Sequence, residues 1–334
     1  QWNEPWYGVL TDLDIFLLDS NGNIAAHSDY DNISSEEPFE FFSYTNGSST
    51  ATYQIVIARW SGTGTPRLKY VFMQNGNSCI SGVQYNTSNG GDIVGPTVEG
   101  HSATSDGFSV AAVPYSDSTT PEYYSSRGPA THYFGPVVGT TPASAITATT
   151  LQQPDFAATD GGCTTFFSGY SAGCYRFYGT SAAAPHAAAV TALLKQEANQ
   201  LSIPLTRMVT KYVLQSTSQT VINGDINSVG SGLISASAAV NQLINLKPVI
   251  LVAGSTIVGS YTLVSPAYTD SITGDTIEMR ATSFAGDLAF NSNKSITLKG
   301  GYAAGYATQN GTTTINGKLT ISNGSVVIDK VVLN

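Results

Sequence analysis

The sequence predicts a mixed fold: an antiparallel β-sandwich over residues 1–75, a partial α/β region over 76–246 built around one helix, and an all-β domain over 249–334. Three observations predict it. In the first segment Leu13, Ile15 and Leu17 share one face by period two, while Asp12 and Asp14 point the other way. From Ala182 to Leu194 nearly every residue is apolar, His186 and Thr191 being the exceptions, which is the pattern of a buried helix. After Lys247-Pro248, read as the start of a linker, short strand-like runs return between glycine turns.

Each element follows from local chemistry. Asn21-Gly22 is a hairpin signal, and Tyr53–Ala58 and Leu68–Phe72 read as two further strands. Turns at Asn46-Gly47 and Gly62-Thr63-Gly64 separate them, at the spacing of a small sandwich. A connection rich in Gly, Asn and Ser follows, then a short buried strand at Gly107–Val113. Met208, Val209, Tyr212 and Val213 recur at helical spacing within Arg207–Ser216. Thr276–Met279, Leu288–Phe290 and Ser295–Leu298 are short strands. Asn310-Gly311, Asn316-Gly317 and Asn323-Gly324 mark rungs of a β-solenoid or a small sandwich.

Composition narrows the partners. Only 11% of the 334 residues are charged, the net charge is −9, and no basic cluster occurs, which argues against nucleic acid and anionic membrane as partners. No apolar run reaches transmembrane length; Pro248–Ala253 is broken by Gly254. No signal peptide opens the chain, which starts at Gln1 on strand-like sequence, so the expectation is that the gene product begins upstream. Three cysteines, few lysines and many Asn-Gly turns suit an extracellular location. Cys163 and Cys174 share a glycine- and aromatic-rich loop that a disulfide would close. Cys79 is then the odd one; the alternative is two free thiols.

No cofactor is expected, a structural calcium aside. Asp12, Asp14, Asp19, Asp29 and Asp31 offer the hard oxygen ligands Ca²⁺ takes, without completing a loop motif; the alternative is a solvated strand face with turn residues.

The candidate nucleophile is Ser181, in Tyr178-Gly179-Thr180-Ser181-Ala182-Ala183-Ala184-Pro185-His186. A glycine turn delivers the serine to the mouth of a helix, where unused N–H groups and the helix dipole favour an anion. Pro185 is placed in the first turn, where its missing N–H costs little. By helix physics alone Ser181 is also an ordinary N-cap.

Gly-Thr-Ser-x-Ala-x-Pro-His closely resembles the nucleophile motif of the subtilisin-like serine peptidases, with Ser181 at the catalytic serine and His186 at a structural helix histidine. Ala187-Ala188-Ala189 departs mildly from that family's Val-Ala-Gly. Three further stretches resemble the family in its own order: Ser125-Ser126-Arg127-Gly128-Pro129, Pro154-Asp155-Phe156-Ala157-Ala158 (with Thr159 for the usual proline), and Gly230–Val240. The N-terminal segment resembles a jelly-roll-like sandwich inserted in some large bacterial subtilases, and the last domain resembles rungs of right-handed parallel β-helices.

The resemblance implies a secreted endopeptidase acting on protein or peptide substrates by acyl transfer. Its triad histidine and aspartate and its oxyanion asparagine precede the Ser-Ser-x-Gly-Pro turn in the family. None of His27, His101, His132 and His186 stands in the His-Gly-Thr setting, and no aspartate in the Asp-Thr/Ser-Gly setting. The expectation is therefore a C-terminal portion whose missing parts lie upstream of Gln1, and which is inactive alone. The alternative is a non-catalytic adhesion or carbohydrate-binding protein carrying a degenerate peptidase remnant.

Overall fold

The computed structural model describes residues 1–47, 49–73, 80–84, 96–165, 169–171, 173–201, 203 and 205–334. Cys79 lies outside them. Among the described residues six α-helices and many strands in several small sheets make the fold mixed, with a partial α/β region and a β-rich region. The chain falls into two compact units, one of Gln1–Thr97 with Ala130–Leu151, the other of Val98–Pro129 with Gln152–Asn334.

In the first unit β1 (Thr11–Leu18) is flanked by β2 (Ile24–Ser28) and β3 (Gln54–Gly62) in one antiparallel sheet. The period-two run at Leu13, Ile15 and Leu17 forms the middle strand, with Ile15 opposite Ser28 on one side and Ile57 on the other. Trp2, Val9 and Leu13 make a small core. Asp12 and Asp14 are buried rather than solvated. Asp12 accepts the Asn32 backbone N–H at 3.1 Å, at the start of the short helix α1 (Asn32–Ser35). Leu68–Phe72 forms no strand; Leu68 makes a single bridge to Trp2. The unit also holds the hairpin of β5 (Ala130–Phe134) and β6 (Ala145–Leu151), a stretch the sequence reading placed in the α/β region.

The second unit is built on β4 (Val110–Pro114) and β7 (Phe156–Asp160), a parallel pair that Leu233 extends through a parallel bridge to Ala157. Helix α2 (Thr180–Gln200) packs on both strands, α5 (Ala236–Ile244) lies against α2, and α3 (Arg207–Ser216) lies against α5, with the single turn α4 (Ile226–Val229) between α3 and α5 in the chain. Small side chains allow the close approach: Ala112, Ala158, Ala183 and Ala187 meet Phe156, Leu194, Val213, Leu214 and Leu243 in one core. The helix is not buried all round. Ala183, Ala187, Leu194 and Ala198 form one buried stripe, while Ala184, Ala188, Ala189 and Leu193 are exposed. An all-apolar composition sets no limit on how many faces find a partner.

Beyond α5 no free linker appears. β11 (Val249–Ala253) follows Lys247-Pro248 directly and pairs antiparallel with β12 (Thr256–Tyr261) and β13 (Thr276–Arg280). Its alternating side chains serve two cores: Ile250 and Val252 join the core of the helices, Val249 and Leu251 the next one. Helix α6 (Val264–Asp270) closes that second core with Val264, Ala267 and Tyr268.

The chain then passes three ladders in the same order: β13, β14 (Ser283–Ala285) and β15 (Leu288–Phe290); β16 (Ser295–Tyr302), β17 (Thr313–Asn316) and β18 (Leu319–Ile321); β19 (Ser325–Asp329) and β20 (Val331–Leu333). Each strand pairs in parallel with its counterpart in the next pass.

Candidate active site

Ser181 is the second residue of α2, and the elements behind it fix its place. β7 ends at Asp160, whose Oδ2 accepts the Gly179 backbone N–H at 2.8 Å and the Tyr124 hydroxyl. Gly179 stands at φ 113°, a conformation side chains resist, and its carbonyl accepts the N–H groups of Ala182 at 2.9 Å and Ala183 at 3.2 Å. The turn therefore ends abruptly and delivers Ser181 on an exposed face. Among the described residues no group hydrogen-bonds the Ser181 hydroxyl, and the N–H groups of Thr180 and Ser181 are not used inside the helix. Such a seat suits an anion or a developing oxyanion.

Pro185 is one turn deeper than its sequence position suggested, because the helix begins at Thr180. It cannot donate to the Ser181 carbonyl, four residues back, so the helix is relaxed at the serine. His186 points the other way: its Nδ1 lies 2.8 Å from the Thr159 carbonyl, tying α2 to the end of β7. His101 sits exposed on a single 3-10 turn, and neither it nor His186 hydrogen-bonds Ser181. His27 and His132 belong to the other unit.

The flanking motifs converge on the same strand pair. Ser125 Oγ accepts the Ala112 N–H at 3.0 Å, so the Ser-Ser-x-Gly-Pro turn is pinned to β4. Gly128 is required there: a Cβ would lie 1.8 Å from the Gln153 carbonyl. Asp155 accepts the Ser109 N–H at 2.8 Å and pairs with Lys211 at 2.6 Å.

In front of the turn, Cys163 on β8 (Gly162–Thr164) is bonded to Cys174 on β10 (Cys174–Phe177), with Cα atoms 5.6 Å apart; β9 (Tyr170–Ser171) completes that small sheet. Gly161 lies between the rings of Tyr115 and Tyr178, and buried Arg176 stacks 3.6 Å over Tyr115 and donates to the Gly161 carbonyl at 2.8 Å.

Sequence reasoning missed Asp160, Glu122 and Tyr124. The available signal was a charged residue closing the apolar run Phe156–Thr159. Burial, then the bond to Asp160, pushes the Tyr124 phenol up; burial, then the charge of Asp160, pushes the Glu122 carboxyl up.

The acidic cluster of the first unit is dispersed over structural tasks. Asp19 accepts N–H groups of Asn21 and Asn23, both at 2.8 Å, and Asp31 caps α1 through the Ser34 N–H at 2.9 Å. Among the described residues no group of three or more His, Cys, Asp or Glu side chains is placed to hold a metal ion. No helix among them is long and apolar enough to cross a membrane.

The parallel strand pair, the glycine turn and the helix-mouth serine all lie within residues 73–232, which one family model, that of the subtilase family, matches. Residues 73–232 are similar to the subtilase family. They include Ser181, the Ser-Ser-x-Gly-Pro turn and β7, and the similarity implies serine peptidase activity at the level of the family. The subtilase match stands alone: no curated protein and no solved structure matches the chain.

Proposed function

We propose that this chain is the C-terminal portion of a secreted subtilisin-like serine endopeptidase in which Ser181 is the nucleophile. One observation carries the reading: Ser181 stands exposed at the mouth of α2, behind Gly179 at φ 113°, with its hydroxyl unengaged among the described residues. In the acyl transfer the family performs, Ser181 Oγ attacks the peptide carbonyl, a histidine takes its proton and passes it to the leaving amine, and the Ser181 N–H is one oxyanion donor. The histidine, its aspartate and the oxyanion asparagine are assigned to a segment upstream of Gln1. The exposed apolar face of α2, with Leu193 53% accessible, supports further chain packing there. Alone, this chain is inactive, because a serine hydroxyl without a base is a weak nucleophile at neutral pH.

The Cys163–Cys174 bond supports an extracellular location. The three parallel ladders of residues 276–333 support a short β-helix, and the sheet around β1 supports part of an inserted sandwich.

The test is labelling by a fluorophosphonate probe, with Ser181→Ala as control. We expect no labelling of residues 1–334 alone, and labelling at Ser181 once the chain is expressed with its upstream segment. Rapid labelling of the isolated chain, lost in Ser181→Ala, would mean that a base is already present. No labelling in either form would remove Ser181 from the nucleophile role.

A further inference from the structure

Asp160 is fully buried at the end of β7, and its two oxygens are treated unequally. Oδ2 accepts two hydrogen bonds, from Gly179 and Tyr124. Oδ1 is buried and has no donor among the described residues. A buried acceptor left in that state is costly, so a donor is to be sought beside it.

The surrounding groups can be taken in turn. From the end of β4, Tyr115 gives its backbone N–H to the Asp160 carbonyl at 3.1 Å and its ring to Arg176. Arg176, on β10, donates through Nη1 to the Gly161 carbonyl, and its Nε is buried without a partner among the described residues. Tyr178 precedes the turn and packs against Gly161. On α2, His186 is bonded to Thr159. Tyr124 already serves Oδ2. Glu122 remains. Its backbone N–H is anchored to the Ala112 carbonyl at 2.9 Å, and Ser125, three residues on, donates back to its carbonyl at 3.0 Å. That places its carboxyl next to Asp160, whose charge it feels.

We propose that Glu122 and Asp160 hold one proton between them, Glu122 donating it to Asp160 Oδ1, and that this acid–carboxylate pair positions the turn that carries Ser181. The Glu122 carboxyl satisfies the orphan oxygen, and Asp160 holds the Gly179 N–H two residues before the serine. Neither touches a reacting atom; both act through the backbone. Burial and the neighbouring charge favour the protonated form of Glu122. Loss of its proton to solvent, as the pH rises, leaves two carboxylates face to face and Oδ1 without a donor, and the hold on Gly179 weakens. The role given to Ser181 rests on the proposed function; the shared proton does not.

The test is an NMR titration of the full chain, carrying ¹³C at the glutamate carboxyls and ¹⁵N at the glycines. The Glu122 signal is identified by its absence in Glu122→Gln. We expect it to titrate above the ordinary glutamate range, and the Gly179 amide to move with the same midpoint. In Glu122→Gln, whose amide still offers Oδ1 a donor, the Gly179 amide stops titrating in that window; in Asp160→Asn the Glu122 midpoint falls back toward the ordinary range. If Glu122→Gln fails to fold, the Asp160→Asn shift carries the test. A Glu122 signal that titrates like the other glutamates overturns the proposal, as does a Gly179 titration that survives Glu122→Gln or vanishes in His186→Gln. A failure of probe labelling at Ser181 leaves these midpoints unchanged, so the two readings fall separately.

Discussion

Lys211 Nζ lies 2.6 Å from Asp155 Oδ1, and the aspartate side chain is 1% exposed while the lysine side chain is 25% exposed. The pair joins α3 to the start of β7, and the other Asp155 oxygen accepts the Ser109 N–H. It therefore fastens helix, strand and preceding loop behind the site. Removing the lysine strands a buried charge, which costs more than the pair contributes. We expect Lys211→Met to destabilise by about 3 kcal/mol, the low end for a broken buried pair because the Ser109 bond remains. Asp155→Asn with Lys211→Met should recover part of that loss. Urea unfolding of the three variants measures both.

Glu278 on β13 is buried, with Oε1 accepting the Tyr302 hydroxyl at 2.8 Å and Oε2 without a partner among the described residues. Burial raises its carboxyl above 4.5, the hydrogen bond from Tyr302 opposing this in part. Folding thus favours the protonated form. The stability it contributes is present in full below the ordinary glutamate range and is lost as the pH rises through the raised value. We expect Glu278→Gln to unfold at higher temperature than the unsubstituted chain at pH 7, with the gap shrinking toward pH 4. A gap independent of pH would mean that Glu278 is not the group responsible.

Much of this was legible in the sequence because it is local. The string from Gly179 to His186 places Ser181 at a helix mouth, and Arg207–Ser216 forms the helix its apolar spacing predicts. The Cys163–Cys174 loop closes as the disulfide alternative expects. What failed depended on partners far along the chain. Asp12 and Asp14 alternate with apolar neighbours, yet both are buried, and Asp12 holds the Asn32 N–H at the start of α1. Pro185 sits deeper than expected because the helix starts at Thr180, a boundary that no single residue type fixes. Glu122 and Asp160 are 38 positions apart, and only the parallel pairing of β4 with β7 brings them together.

The Cys163–Cys174 bond spans a separation of 11 residues just before the nucleophile turn. Closing a loop of that size restricts the unfolded chain by about 3 kcal/mol in the loop-entropy account. We expect the double variant Cys163→Ser, Cys174→Ser to lose about that much stability in urea unfolding. Because β8 and β10 are otherwise joined, among the described residues, by a short antiparallel ladder and the bond from the Thr164 hydroxyl to the Tyr175 carbonyl, the loss should be local as well as global. Hydrogen exchange over residues 162–177 should then accelerate more than over α3. Equal acceleration in both would place the effect in the unfolded state alone.

Ile250 decides whether the helices and the C-terminal ladders unfold together. It is fully buried on β11 and faces Leu243, Val213 and the other residues of the helical core, while Val249 and Leu251 beside it face the second core. Were the chain after Lys247 tethered by a linker, truncating Ile250 would leave α2 and α3 untouched. With one strand shared between two cores, the cavity is felt on both sides. We expect Ile250→Ala to cost about 3 kcal/mol, in the range for a large aliphatic side chain cut back at a packed site. Amide protection should fall together in α3, α5 and β13, and unfolding followed by far-ultraviolet dichroism and by tyrosine fluorescence should remain coincident. Two separated transitions, with α3 protected through the first, would show instead that β11 couples the cores too weakly to make them one cooperative unit.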